Sequence, residues 1–140
     1  MRNPKPKTSK EIVDLMYDND PFSQWLGIER ISEQPGNSVL QMRVRKKMLN
    51  GFGIAHGGIA YALADSALAF ASNSHGRQAL SVETSISHVR KVNQGDVLIT
   101  RVEEVNLTNK IGIYQVFVEN QEKELVAVFE GTVYRTEKYW

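Results

Sequence analysis

The sequence predicts an α+β fold in which a curved antiparallel β-sheet wraps one long central helix. Three observations lead there. Residues 59–74 place alanine, leucine and phenylalanine all round a helix, and a helix without a polar face must be enclosed on every side. Residues 80–87 alternate, with Leu80, Val82, Thr84 and Ile86 opposing Ser81, Glu83, Ser85 and Ser87, and three later runs are strand-like as well. A strand pair is also expected before the helix, so the sheet is large enough to cover it.

A first helix is announced by Thr8 and Glu11, three apart as a capping box requires, with Ile12, Leu15 and Met16 at helical spacing. Asp18, Asn19, Asp20 and Pro21 end it. Residues 26–44 read as a hairpin broken at Pro35, Gly36 and Asn37, with Leu40, Met42 and Val44 on one face. Residues 50–58 are rich in glycine and lead into the apolar helix. After residues 80–87, Gln94, Gly95 and Asp96 supply a turn. The runs 97–107, 111–119 and 125–135 then follow as an antiparallel meander. Residues 1–7, with two prolines and three basic side chains, are expected to be a flexible tail, and 8–140 a single domain.

Composition narrows the partners. Seventeen basic against sixteen acidic residues give a net charge of +1, so no global field favours nucleic acid or an anionic membrane surface. The apolar stretch 57–71 is shorter than the roughly 20 residues that span a bilayer, and it contains Asp65. No secretory signal is evident at the start, and the absence of cysteine fits a reducing compartment, so a cytoplasmic location is expected. Without cysteine there are no disulfides, thiolate nucleophiles or sulfur-ligated metals. His56, His75 and His88 are not at metal-ligand spacing, and no metal or redox cofactor is expected. Ser66, Ser72 and Ser74 lie at no obvious helical offset from a histidine and read as packing residues.

Asp65 is the only formally charged residue between Met48 and Gly76, counting histidine as neutral. A carboxylate in an apolar helix costs several kcal/mol unless something compensates it. One reading is a satisfied structural aspartate, bonded to Ser66, to a loop amide or to a basic side chain from another strand. The other is functional. The stretch Asn50, Gly51, His56, Gly57 and Gly58 ends where the helix begins, leaving its first amides free beside a partial positive charge. Such an end can hold phosphate or a carbonyl oxygen that becomes negative under attack, and glycine lets a substrate approach the backbone. Singly, these signals are weak: glycines often form turns before helices, and a lone histidine is often a cap.

Together, the residues LNGFGIAHGGIAYALAD, Leu49 to Asp65, resemble the motif of the PaaI-type thioesterases of phenylacetate degradation, in the hotdog superfamily. That motif runs Asn-Gly, His-Gly-Gly, then Leu-Ala-Asp on the central helix. The resemblance extends to Asn73 and Gly76, to Val89 and Arg90 before Gly95 and Asp96, and to Gly131, Thr132 and Tyr134. It implies a hotdog fold and hydrolysis of acyl-CoA thioesters, with aryl-acetyl or medium-chain acyl groups. Asp65 would be base or nucleophile, the Gly57 amide the oxyanion donor, and Asn50 and His56 would orient thioester or water. Gly58 would lie against the substrate. Arg90 and Lys91 would meet the CoA phosphates, though both equally suit a solvated surface; Lys91 departs from the proline common in the family. CoA is then part of the substrate and no separate cofactor is implied.

Asp65 follows Gly57 by eight residues, about 12 Å along a helix. Reacting atoms must come within about 3–3.5 Å. A homodimer with antiparallel central helices, or a homotetramer built from such dimers, would bring Asp65 of one chain to Gly57 of another, with active sites at the subunit interface. Two other readings of the same fold are an enoyl or hydroxyacyl thioester hydratase and a non-catalytic acyl-CoA binding protein.

Overall fold

A computed structural model describes residues 3–140. Helix α1 (Ser9–Asp18) begins at the expected cap, where the Thr8 hydroxyl accepts from the Glu11 amide at 3.1 Å. Ile12 and Val13 are buried, Tyr17 packs edge-on against Phe70, and Leu15 stays largely outside. The break expected at residues 18–21 instead leads into a second short helix, α2 (Pro21–Trp25). Its signal is local. Asp20 accepts from the Ser23 amide, and Pro21 sits at the first position, where no amide hydrogen is needed.

Strands β1 (Glu29–Gln34) and β2 (Asn37–Arg43) form the expected hairpin, turning at Gly36 with φ +75°, and Leu40, Met42 and Val44 are buried as the alternation requires. A 3-10 turn (Lys46–Met48) and the glycine loop then reach α3 (Gly57–Asn73). The remaining strands are β3 (Arg77–His88), β4 (Val97–Leu107), β5 (Ile111–Glu119) and β6 (Leu125–Tyr139). The last runs beyond residue 135, where the sequence pattern placed its end.

All six strands form one antiparallel sheet in the order β1-β2-β4-β5-β6-β3, curled round α3. Leu98, Val102, Tyr114, Val116, Val118, Phe129 and Val133 meet Leu63, Leu68 and Phe70 of the helix in one core. Alanine lets the helix lie close to the sheet, and Gly131 deepens the contact. A Cβ at Gly131 would stand 2.5 Å from Leu68 Cδ2. Tyr114 is fully buried and donates to Glu104 Oε2 at 2.8 Å; burial and that carboxylate push its phenol far above the ordinary value.

β4, β5 and β6 form the expected meander, but β3 pairs with β6 at the far edge. Residues 89–96 must therefore cross from that edge back to β4. The crossing is pinned to the glycine loop where the Ala55 amide donates to Val92 O at 2.8 Å. This route carries Arg90 and Lys91 past the start of α3. The alternation of residues 80–87 marks a strand, yet its apolar side is not covered at its start: Leu80 is 68% and Val82 64% exposed. Of the segment 1–7 expected to be a flexible tail, residues 1 and 2 lie outside the described residues, and Asn3 to Lys7 are coil lining a hollow with Tyr139 and Trp140.

Candidate active site

The glycine loop is a tight Asx turn built on Asn50. Its Oδ1 accepts from the Phe52 amide at 2.9 Å, its carbonyl from Gly53 at 3.0 Å, and its own amide donates to Ile54 O at 2.8 Å. Gly53 takes φ +76°, which a side chain would disfavour. With Oδ1 engaged, the free end of Asn50 is its Nδ2 donor.

His56 caps α3. Its Nδ1 accepts from the Gly58 amide at 2.9 Å, and its carbonyl accepts from Ile59 N. The neutral ring therefore carries its proton on Nε2, leaving a donor directed away from the cap. Gly58, expected to lie against substrate, has its amide taken by this cap, and a Cβ there would sit 3.1 Å from His56 Nδ1. Its glycine makes room for the His56 ring. The Gly57 amide has no acceptor among the described residues. It is the free donor at the positive end of α3.

Gly57 opens into a hollow of about 370 Å³, a size suited to a small-molecule site. Asn50, His56, Arg90 and Lys91 line it too, so the structure brings six of the seven residues singled out from sequence to one place, counting Gly58 beside His56. Arg90 is half exposed and pairs with Glu124 at 3.1 Å. His88 was not singled out. It lines the same hollow, with Nε2 3.3 Å from where a Gly57 Cβ would stand, and its ring has no hydrogen-bond partner among the described residues. Nothing local marks it, because the end of β3 meets the start of α3 only through the fold.

Asp65 is the residue the single chain does not bring there. It opens instead on two other hollows, of about 320 and 560 Å³. Met16, Ala69 and Trp140 line both, and Ser81 from β3 lines the smaller. No hydrogen bond or ion pair holds its carboxylate among the described residues. Ser66, the obvious neighbour, pairs with Ser23 at 2.8 Å. Burial pushes the Asp65 carboxyl above its ordinary value, with no partner to oppose the shift. Among the described residues, therefore, none satisfies Asp65 as a structural aspartate would be satisfied. Among the described residues no cluster of His, Asp or Glu could hold a metal ion, and no helix is long and apolar enough to cross a membrane.

A free helix-terminal amide and a desolvated, unpaired carboxylate suit attack on a carbonyl: one stabilises the oxyanion, the other activates water or attacks. Comparison with known proteins places the chain among thioester hydrolases. The family profile of the thioesterase superfamily matches residues 52–127. Acyl-coenzyme A thioesterase PaaI of Escherichia coli is 37% identical over 120 residues, covering 86% of each chain. The solved structure of the E. coli PaaI protein from the phenylacetic acid degradation operon superposes with a TM-score of 0.91 at 34% identity, covering 94% of this chain and 95% of that one. A Streptococcus mutans protein solved with acetyl CoA bound has a TM-score of 0.78 at 29% identity, covering 81% of this chain and 91% of its own. A six-stranded antiparallel sheet round a central helix, with the glycine loop at the helix start, is therefore the hotdog fold, and the chain belongs to the thioesterase superfamily as a PaaI-type thioester hydrolase.

Proposed function

We propose that this protein hydrolyses acyl-CoA thioesters, carrying aryl-acetyl or medium-chain acyl groups, at sites shared between two copies of the chain. One observation carries the proposal. Among the described residues the Gly57 amide and the Asp65 carboxylate both lack partners, yet they sit on the same helix about 12 Å apart and open on different hollows. A two-fold axis that sets two α3 helices antiparallel makes each amide face the other copy's carboxylate, giving two equivalent sites.

The β3 edge supports this arrangement. It is a long edge strand with Leu80 and Val82 outside, and Leu80 lines the Asp65 hollow. An exposed apolar edge invites pairing with a second copy. The activity named for the E. coli relative, and the acetyl CoA in the S. mutans structure, support acyl-CoA as the substrate.

In this site the Gly57 N–H holds the thioester oxygen as it gains charge. Asp65 of the second copy takes a proton from water as hydroxide forms the new C–O bond, and the C–S bond then breaks to release CoA thiolate, which is protonated. Alternatively the carboxylate attacks directly, expels the thiolate, and water hydrolyses the resulting anhydride. A carboxyl raised toward the working pH is a stronger base than an ordinary aspartate. Asn50 Nδ2 and His56 Nε2 supply donors beside the carbonyl, and Arg90 and Lys91 meet the CoA phosphates.

The test mixes two inactive variants. Asp65→Ala removes the carboxylate, and Gly57→Pro removes the amide at a first-turn position that accepts proline, where His56 already holds an extended ψ of 139°. Unfolding and refolding them together should restore about a quarter of wild-type CoA release, since half the dimers are mixed and each has one intact site. A mixture that stays inactive after demonstrated exchange of folded chains refutes the shared site. Wild-type protein that releases no CoA from any acyl-CoA, yet hydrates an enoyl-CoA, refutes the activity.

A further inference from the structure

We infer that the indole of Trp140 is the wall that limits how long an acyl group this protein accepts, a specificity-determining role that rests on the hydrolase reading above. Trp140 lines three hollows. Asp65 lines two of them but not the third, of about 570 Å³, which is lined also by Lys5, Ile12 and His75. Trp140 is thus shared by the carboxylate's hollows and a further empty space of ligand size.

The ring is held where it is. Its Nε1 donates to Asn73 Oδ1 at 3.0 Å, and the Trp140 amide donates to Gly76 O at 3.0 Å. Asn73 is buried at the end of α3 and has no freedom to move. The same Oδ1 accepts from Ala79 N at 2.9 Å, while Nδ2 donates to Ala69 O at 2.8 Å and Ala79 O at 3.0 Å. A planar, rigid side chain fixed through a fully bonded buried amide makes a barrier of definite position.

The acyl group must start at Asp65, because its carbonyl carbon is where the carboxylate acts. From there its tail has the space bounded by Met16, Ala69 and Trp140. An acyl chain that fits stops against the indole, and a longer one collides with it. Taking the ring away joins this space to the third hollow. An apolar pocket discriminates one methylene by about 10- to 200-fold, so moving the wall by a ring should be easily read in the chain-length profile.

The experiment measures kcat/KM for CoA release from straight-chain acyl-CoAs, butyryl to palmitoyl, and from phenylacetyl-CoA, using full-length protein. Trp140→Ala should shift the preference toward longer chains, raising the ratio of palmitoyl to butyryl kcat/KM at least about 10-fold. Trp140→Phe keeps a ring without the bond to Asn73 and should hold the wild-type profile within about 3-fold. Where Trp140→Ala does not fold, Trp140→Leu takes its place with the same expected direction. Ala69→Phe, filling the space from the opposite wall, should shift the profile toward shorter chains. An active wild type whose profile is unchanged in the folded Trp140→Ala or Trp140→Leu protein overturns this inference alone. So does a loss that is equal for every chain length, which would mean a structural role only. A wild type inactive on every acyl-CoA overturns the hydrolase reading, and the inference with it.

Discussion

The two ends of α3 are built to opposite rules. At the C-terminal end the Asn73 side chain makes four hydrogen bonds, Ser74 Oγ donates to Phe70 O, and Ser9 donates to Ser74 O, so the helix end is tied to β3, to α1 and to Trp140. At the N-terminal end, among the described residues, the Gly57 amide has no acceptor, the His88 ring stands beside it unbonded, and Asn50 keeps a spare donor. Between them Asp65 is desolvated and, among the described residues, unpaired. Polar groups bonded within the fold contribute stability; those left free in a hollow are unfavourable for folding and available to a substrate. One helix thus carries a closely bonded end and an open one, and only the open one leaves polar groups free for the proposed chemistry.

The sharpest test of that contrast is Asp65→Asn. It should lower kcat at least about 100-fold with a smaller change in KM, as loss of a transition-state role does. Its effect on stability should have the opposite sign. The folded carboxyl is raised above its ordinary value near 3.8, so its favourable contribution is complete below that value and is lost as pH rises through the folded pKa. Thermal melts at neutral pH should show the variant more stable than wild type, with the advantage vanishing in acid. The acid limb of the wild-type kcat/KM profile should also lie above the ordinary aspartate value. A variant keeping more than a tenth of wild-type kcat would overturn the assignment.

Asn73→Ala should do the reverse. It strands the Ala79 amide and frees the Trp140 indole, at a cost of about 2–4 kcal/mol in denaturant unfolding. At a temperature where the protein stays folded, kcat on a short acyl-CoA should change by less than about 3-fold. A large loss of kcat in folded protein would erase the distinction between the two ends.

Smaller effects refine the N-terminal end. His88→Ala should lower kcat about 10-fold if its ring donates beside Gly57, whereas an unchanged kcat would leave it a bystander on the rim. Replacing Arg90 and Lys91 together with alanine should raise KM for acyl-CoA several-fold, while a short acyl thioester without the nucleotide is unaffected. Equal effects on both substrates would remove the phosphate role.

Much of this was legible locally. The Thr8 cap, the hairpin faces carrying Leu40 and Met42, and the all-round apolar surface of α3 all follow from rules that act over a few residues, namely capping, strand alternation and helical period. So did the cluster from Asn50 to Gly58, since a glycine loop and the helix it starts are contiguous in the chain. The short α2 helix is announced by Asp20, Pro21 and Ser23, but Asp20 and Pro21 equally signal the end of α1, so the local pattern reads as a stop.

What no local rule contains is pairing between distant segments. Period two makes residues 80–87 a strand, but only the packed sheet decides that it lies beside β6 at an edge, with Leu80 and Val82 uncovered. The same packing leads residues 89–96 across to the glycine loop, places His88 by Gly57, and joins Asn73 to Trp140 over 67 residues of chain. By itself the sequence determined which segments are helix or strand, which helix must be enclosed, and that one carboxylate would sit within it. The tertiary structure decided that this carboxylate and the free amide open on different hollows. The reason is that burial and proximity belong to the whole sheet closing round the helix, and the free energy that selects its strand order is shared among contacts far apart in sequence.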